Sequence, residues 1–279
     1  MRTLAAALLA LAAAAVPCLA APTTIVWHGH AAFEIRTPKG HVLVVDPWLN
    51  NPANPDAAGG KDAVAAIPKA DYILVTHGHF DHVGDAVALA KRTGARLVTN
   101  FELGTNMVRL LGFPKEQLGF DTLGNPGGEL KLAGGEVTVA FTPAVHGGGL
   151  DAPDAEKTGS PVAYGGEAMG LVIMIEGGPT IWHSGDTAYF RDLETIGEQY
   201  RPQIALVNIG GHFGMEPAMA AKAAAAVKAK LAIPMHYKTF PVLTQDPAAF
   251  FKEVDKLHVG YKELKPGEAL TIEGTKVER

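Results

Sequence analysis

The segment Thr76-His77-Gly78-His79-Phe80-Asp81-His82 places three imidazoles and a carboxylate within six consecutive positions. It directly follows Tyr72-Ile73-Leu74-Val75, an apolar run whose residue types predict a buried strand. On an extended chain, residues two apart project to the same side, so His77 and His79 can share one cation. Asp81 and His82 fall where the chain should turn into a helix starting near Asp85, and can face a second cation. Imidazole combined with carboxylate suits zinc, manganese or iron, whereas calcium takes oxygen ligands. The chemistry to expect is that of a transition-metal centre.

The H-x-H-x-D-H run resembles the signature of the metallo-β-lactamase superfamily, and further stretches extend the likeness in the order that family shows. An aspartate ends an early strand in Val42-Leu43-Val44-Val45-Asp46-Pro47. A lone histidine follows a later strand in Val139-Ala140-Phe141-Thr142-Pro143-Ala144-Val145-His146. Gly185-Asp186-Thr187 closes another strand, and Leu231-Ala232-Ile233-Pro234-Met235-His236 supplies the last histidine. Within the superfamily, Trp27-His28-Gly29-His30-Ala31-Ala32-Phe33, Tyr164-Gly165-Gly166-Glu167-Ala168 and Pro234-Met235-His236-Tyr237-Lys238-Thr239-Phe240-Pro241 are most similar to small metal-dependent hydrolases related to the ascorbate-phosphate lactonases.

That resemblance implies two divalent ions, zinc first and manganese or iron as alternatives. It implies His77, His79 and His146 on one ion, Asp81, His82 and His236 on the other, and Asp186 as the bridge. Physical reasoning runs the same way: paired cations need an anion between them, and together they lower the pKa of shared water toward ~7. The expected activity is hydrolysis of a small ester, lactone or phosphoester. Asp81 is also a candidate to orient the attacking water or carry a proton. Asp46 is expected to accept a hydrogen bond from a ligand imidazole and fix its orientation. His30 and His183 are expected to support the ligands from behind or to be structural. His212 is a candidate for substrate binding or proton shuttling, and Tyr237 and Lys238 for contact with an anionic substrate. Three rival readings stay open: a class B3-like β-lactamase, an iron-dependent redox protein, and a metal-binding protein without catalysis.

Such residues must be held by a frame. Strand-like runs recur at 24–28, 31–36, 41–46, 71–76, 96–100, 136–142, 171–176, 180–184, 203–208, 231–235 and 268–273. Helical patterns fall at 86–93 behind Asp85 as N-cap, and at 217–229 behind Glu216-Pro217. Further helices are expected at 101–111, 190–199 and 247–257. The halves echo one another: a hairpin ends in Asp46 and another in Asp186, and the strands at 72–76 and 204–208 each lead to a His-containing loop and a helix. The fold class predicted is α/β (α+β), a four-layer αββα metallo-β-lactamase sandwich with pseudo-duplicated halves. The Gly-rich stretch 147–166 follows His146 and could line or cover a substrate.

Composition narrows the partners. The chain has 279 residues and a formal net charge of -5 with no Lys/Arg cluster, so nucleic acid has no electrostatic support and a small molecule is the expected partner. Arg2, the apolar run Leu4 to Val16 and the small residues before Ala21 read as a signal peptide over 1–20, leaving 21–279 as one hydrolase domain. No later run is long enough to span a membrane, so the mature protein is expected in the periplasm or outside the cell. Removal of Cys18, the sole cysteine, leaves no thiol for a disulfide or a metal. Mass spectrometry of protein recovered from its native cell should therefore find an N-terminus near Ala21. Intact Met1 on cytoplasmic protein would overturn both the export and the missing-thiol arguments.

Overall fold

The computed structural model describes residues 21–151 and 160–278; the expected leader, and residues 152–159 of the Gly-rich stretch, lie outside the described residues. The first half runs through β1 (Thr23–Trp27), β2 (Phe33–Arg36) and β3 (Val42–Val45) to a short helix α1 (Pro55–Ala58). It continues with β4 (Tyr72–Leu74), the helical turn α2 (Phe80–Val83), α3 (Ala86–Thr93), β5 (Arg96–Asn100), α4 (Phe101–Asn106) and β6 (Leu123–Gly124). The second half comprises β7 (Glu129–Leu132), β8 (Val137–Pro143), β9 (Gly149–Asp151), β10 (Val162–Tyr164), β11 (Met169–Ile175) and β12 (Thr180–His183). After these come α5 (Leu193–Tyr200), β13 (Ile204–Asn208), α6 (Pro217–Ala226), β14 (Leu231–Met235), α7 (Ala248–Lys256), β15 (Gly260–Tyr261) and β16 (Ala269–Ile272).

Two mixed seven-stranded sheets result, ordered β16-β1-β2-β3-β4-β5-β6 and β7-β8-β11-β12-β13-β14-β15. In each, reading in that order, three antiparallel pairings are followed by three parallel ones. The repeat seen in sequence is thus a repeat of topology, with β3 matching β12, β4 matching β13 and β5 matching β14.

Burial on both faces explains the near-continuous apolar strands. Along β3, Leu43 and Val45 enter the core shared with Phe141, Leu171 and Ile173 of the other sheet. Val42 and Val44 point the other way, into a second core with Ala86, Leu89 and Ala90 of α3 and with Leu103 of α4. On the second sheet, α6 lays Ala220, Ala221, Ala223 and Ala224 against the strands, and α7 packs on α6 through Phe250 and Val254. Small side chains let that helix approach closely, which is why an Ala-rich sequence suits a helix pressed between its sheet and α7. The αββα order follows.

Several details depart from the local sequence signals. Asp85 occupies the N-cap position of α3 but makes no capping bond; its carboxylate accepts from the backbone and side-chain N–H groups of Asn50 instead, at 2.7 and 2.9 Å. The helix expected over 101–111 is α4 followed by a wider π-helical turn at Met107–Leu111. The chain also turns helical earlier than expected, at Phe80, so Asp81 and His82 lie on α2 itself. The described ends of the 147–166 stretch pair as an antiparallel ribbon, β9 with β10, beside the His-rich loop.

Candidate metal centre

The carboxyl ends of the parallel strands of both sheets open on one edge of the sandwich, the end at which such sheets characteristically bind ligands. His77 follows β4, Asp186 follows β12 and His236 follows β14, while His146 comes from the loop after β8. The structure brings all seven predicted ligand residues together there. His77 Nε2 lies 3.0 Å from His79 Nδ1, which lies 3.3 Å from His146 Nε2. Asp186 stands between this group and the next: its Oδ2 is 3.6 Å from His146 Nε2 and 3.1 Å from His236 Nε2, and its Oδ1 is 3.5 Å from His82 Nε2. Asp81 Oδ2 lies 3.6 Å from His236 Nε2. His77, His79 and His146 form one group of convergent donors, and His30, Asp81, His82 and His236 another.

The donors fit cations better than they fit each other. His82 Nε2 and both ring nitrogens of His236 are buried with no hydrogen bond of acceptable geometry among the described residues, although Asp186 lies within ion-pair distance of both Nε2 atoms. A buried polar atom left so would ordinarily cost about 1–3 kcal/mol, and coordination would remove that cost at the Nε2 atoms of His82 and His236. Burial also holds His77, His79 and His146 below the ordinary imidazole range, which keeps them neutral with lone pairs available. Burial alone would raise both carboxyls. His236 and His82 beside Asp186, and His236 and His30 beside Asp81, more than reverse this and keep both ionised. For His236, burial is outweighed by Asp186 and Asp81, which lift it to about 9. A cation would take the place of such protons.

Asp46 orders the imidazoles from behind. It is fully buried, at φ 44°, a left-handed conformation that a non-glycine residue adopts at some cost. Its Oδ1 accepts from the Thr76 backbone N–H at 2.8 Å, and its Oδ2 accepts from Thr76 Oγ1 at 2.7 Å and His82 Nδ1 at 2.8 Å. Thr76 Oγ1 in turn accepts from His77 Nδ1 at 3.0 Å. One carboxylate therefore assigns the tautomers of His77 and His82 and turns both Nε2 atoms toward the cluster.

Comparable supports stand behind the other ligands. His30, buried at φ 50°, donates through Nε2 to Asp81 Oδ2 at 3.0 Å while its Nδ1 accepts from Thr239 Oγ1 at 2.6 Å. That assignment needs a neutral ring, and burial followed by the charge of His236 lowers His30 to about 4. His183 donates through Nε2 to the Ala31 carbonyl at 3.0 Å and accepts at Nδ1 from the Gly185 N–H at 3.1 Å, pinning the turn that presents Asp186. Gly185 has φ +55°, and a Cβ there would meet the Met169 carbonyl oxygen at 2.5 Å. Gly78 is needed for a different reason: its missing Cβ would lie 2.7 Å from the Gly149 carbonyl oxygen of β9.

Three supporting residues escaped the sequence reading. Asn208 donates through Nδ2 to Asp186 Oδ1 at 2.5 Å and accepts the Gly210 N–H at 2.8 Å. The others are Thr76 and Thr239. The signal for Asn208 was there, since an amide ending the wholly buried run Ile204-Ala205-Leu206-Val207 has to be satisfied. Some candidates lie elsewhere. His212 is exposed and lines a neighbouring depression with Glu216 and Thr244, and Phe213 rather than His212 lines the cavity over the cluster. Tyr237 is buried, stacked on Trp27 at 5.5 Å, and Lys238 Nζ sits 5.3 Å from the Tyr237 ring centroid and 4.0 Å from Glu263 Oε1. Neither is part of the cavity wall.

The Asp46 network is testable without any metal. Asp46→Ala leaves the Thr76 N–H, the Thr76 hydroxyl and His82 Nδ1–H without their acceptor in a fully buried site. At about 1–3 kcal/mol for each orphaned donor, unfolding in urea should register a loss of about 3 kcal/mol or more. Asp46→Asn, which keeps the shape and one acceptor oxygen, should lose less. Wild-type stability in the alanine variant would show that this network contributes nothing to the fold.

Comparison with known proteins agrees with this centre. Residues 41–237 match the family model described as "Beta-lactamase superfamily domain". A "UPF0173 metal-dependent hydrolase" of Thermodesulfovibrio yellowstonii is 44% identical over 253 residues, covering 90% of this chain and 92% of that protein. Among solved structures, Igni18, a metallo hydrolase from the archaeon Ignicoccus hospitalis, superposes with a TM-score of 0.75 at 30% identity, covering 90% of this chain and 99% of that one. The metallo-beta-lactamase fold protein YhfI from Bacillus subtilis shares the fold alone, with a TM-score of 0.64 at 13% identity over 90% of this chain and 99% of the other. With seven histidine and aspartate side chains converging at the shared edge of two duplicated sheets, the chain belongs to the metallo-β-lactamase superfamily and, within it, to the UPF0173 metal-dependent hydrolases.

Proposed function

We propose that the protein is an exported dinuclear hydrolase that cleaves a small ester, lactone or phosphoester, with zinc as the first candidate metal. The observation that carries this reading is the position of Asp186, whose two oxygens lie within 3.6 Å of ring nitrogens from both donor groups. His77, His79 and His146 would hold one ion, Asp81, His82 and His236 the other, with Asp186 shared. When bound, such ions acidify water and polarise the bond under attack.

The chain's own residues prepare that event. Asp46 and Thr76 fix two imidazoles in the tautomer that ligation needs. The bond from His30 occupies Asp81 Oδ2, leaving Oδ1 free of a described hydrogen bond to turn toward an ion or to take a proton from water. Asn208 holds Asp186 Oδ1 in the same manner. Holding the carboxylates from outside limits how far they relax when charge shifts at the centre, which is a form of electrostatic preorganisation.

Elemental analysis of the purified protein should approach two transition ions per chain, and a stable, fully active form with one ion would contradict the dinuclear reading. Asp186→Asn keeps size and shape but removes the charge, so one ion should be lost while the fold persists, with activity down at least about a hundredfold. Retention of both ions and near-normal turnover would remove Asp186 as the bridge. His77→Ala should weaken metal binding and rate together. A panel of esters, lactones, phosphodiesters and β-lactams, offered to the metal-loaded protein, tests the reaction class. Turnover confined to β-lactams would favour the class B3-like alternative.

A further inference from the structure

The cavity above the donor cluster, about 620 Å³, has a wall unlike its floor. The floor is the metal-binding cluster. The wall includes Phe80, Phe213, Phe240 and Val242, and Phe80, Phe213 and Val242 are 50%, 58% and 50% exposed. Large apolar side chains left half in water around one concavity are a standing cost that an apolar ligand group would remove, at about 25 cal/mol per Å² covered.

The wall is built rather than loose. Trp48 stacks on Phe240 at 5.5 Å with 12° between planes and meets Phe80 edge-on at 5.6 Å, so three aromatic rings fix one another. The turn carrying Phe240 and Val242 is closed by Leu243 N–H to the Phe240 carbonyl at 3.1 Å, and Gln245 Nε2 donates to the carbonyls of Phe240 and Leu243 at 2.8 and 2.7 Å. Its Thr239 also holds His30, so the apolar wall and the support of Asp81 belong to one short segment after His236. Among the described lining residues outside the cluster, the single charged one is Asp151, an acid, and none is Lys or Arg. Lys238, in the same segment, faces Glu263 instead.

We infer that this cavity selects uncharged carbonyl substrates, esters or lactones, whose aryl or alkyl group lies against the Phe80–Phe240–Val242 wall, rather than phosphoesters. This rests on the hydrolase reading above and narrows it. In the reaction, the oxygen of water bonds to the carbonyl carbon, the bond from that carbon to the ester oxygen breaks, and the departing oxygen takes up a proton from the same water. A substrate of this kind needs no cation on the wall, and its apolar part seats the carbonyl over the floor.

Two measurements on the full, metal-loaded protein test the inference. In the first, neutral phenylalkyl methyl ketones of increasing chain length are titrated while tryptophan fluorescence is followed. Trp27 and Trp182 are buried and Trp48 packs directly against Phe80 and Phe240 of the wall, so Trp48 is the reporter of a group seated there. Affinity should rise about two- to fourfold per added methylene until the cavity is filled. Phenyl phosphate should bind more weakly than the ketone of matching size. In the second, kcat/KM is followed along esters of one alcohol with lengthening acyl chains and should rise in parallel. Phe240→Ala and, because Phe240 packs on Trp48, the separate surface variant Val242→Ser should both flatten each series. A flat ketone series, or tighter binding of phenyl phosphate, would overturn the inference even if esters are cleaved. A rising ketone series with no ester, lactone or phosphoester cleaved would instead leave the wall's selectivity standing and overturn the hydrolase reading, whereas cleavage of phosphoesters alone would overturn the inference.

Discussion

The buried carboxylate of Asp186 is the constraint on which the rest of the centre depends. It lies within ion-pair distance of His82, His146 and His236, and histidines gathered from both sheets would otherwise face one another with nothing but lone pairs or like charges. An anion at the middle makes the gathering tolerable and makes it attractive to cations. The surrounding architecture can be understood as the means of placing that one group: Gly185 allows the turn, His183 pins it, and Asn208 holds one of the oxygens.

Duplication of the sheet topology gives this site its symmetry, and divergence gives it function. Ser184 after β12 answers to Asp46 after β3. Its N–H donates to the Leu206 carbonyl and its Oγ accepts the Asn208 N–H, as Asp46 does with Leu74 and Thr76. The two aspartates, Asp46 and Asp186, therefore leave matching strands at different offsets. One is spent inward, as acceptor for Thr76 and His82; the other faces the donors. His30 and His146 are related, since each lies three residues beyond the end of its strand, β1 or β8. His146 joins an imidazole group, and His30 has become a support for Asp81. A duplicated frame thus supplies two sets of strand ends, and one set can hold the other's ligands in position.

Strain and close approach concentrate at the same edge. His30, Asp46 and His236 all have left-handed backbone angles, at φ 50°, 44° and 61°. Such conformations persist where surrounding contacts over-determine them: side-chain hydrogen bonds hold His30 and Asp46, and the His236 N–H donates to the His30 carbonyl at 2.9 Å. Stability given up at these turns is recovered in the two apolar cores beneath, where the strands are buried on both faces.

Much of this was legible in the sequence, because the metal chemistry is written in residue type and local spacing. His77, His79, Asp81 and His82 lie within one loop and turn, and Asp46, His146, Asp186 and His236 each follow an apolar run that reads as a strand. Eleven strand runs and the main helices follow from hydrophobic period, since burial on two faces leaves an unmistakable apolar stretch. Short pairings such as β6, β9, β10 and β15, of two or three residues, carry no such signal because a partner strand, not composition, defines them. The roles of Thr76, Thr239 and Asn208 were hidden for the same reason: a hydroxyl or amide becomes a support only when a distant loop brings it its partner. Asp85 followed the same logic in reverse, with Asn50 winning it from the helix it was expected to cap. The sequence alone therefore determined which residues are candidates to ligate and in what frame. The tertiary structure decided which oxygen of Asp81 is left without a described hydrogen bond, which loop residue, Phe213 rather than His212, reaches the cavity, and that its wall is aromatic, because those depend on packing between segments far apart in the chain.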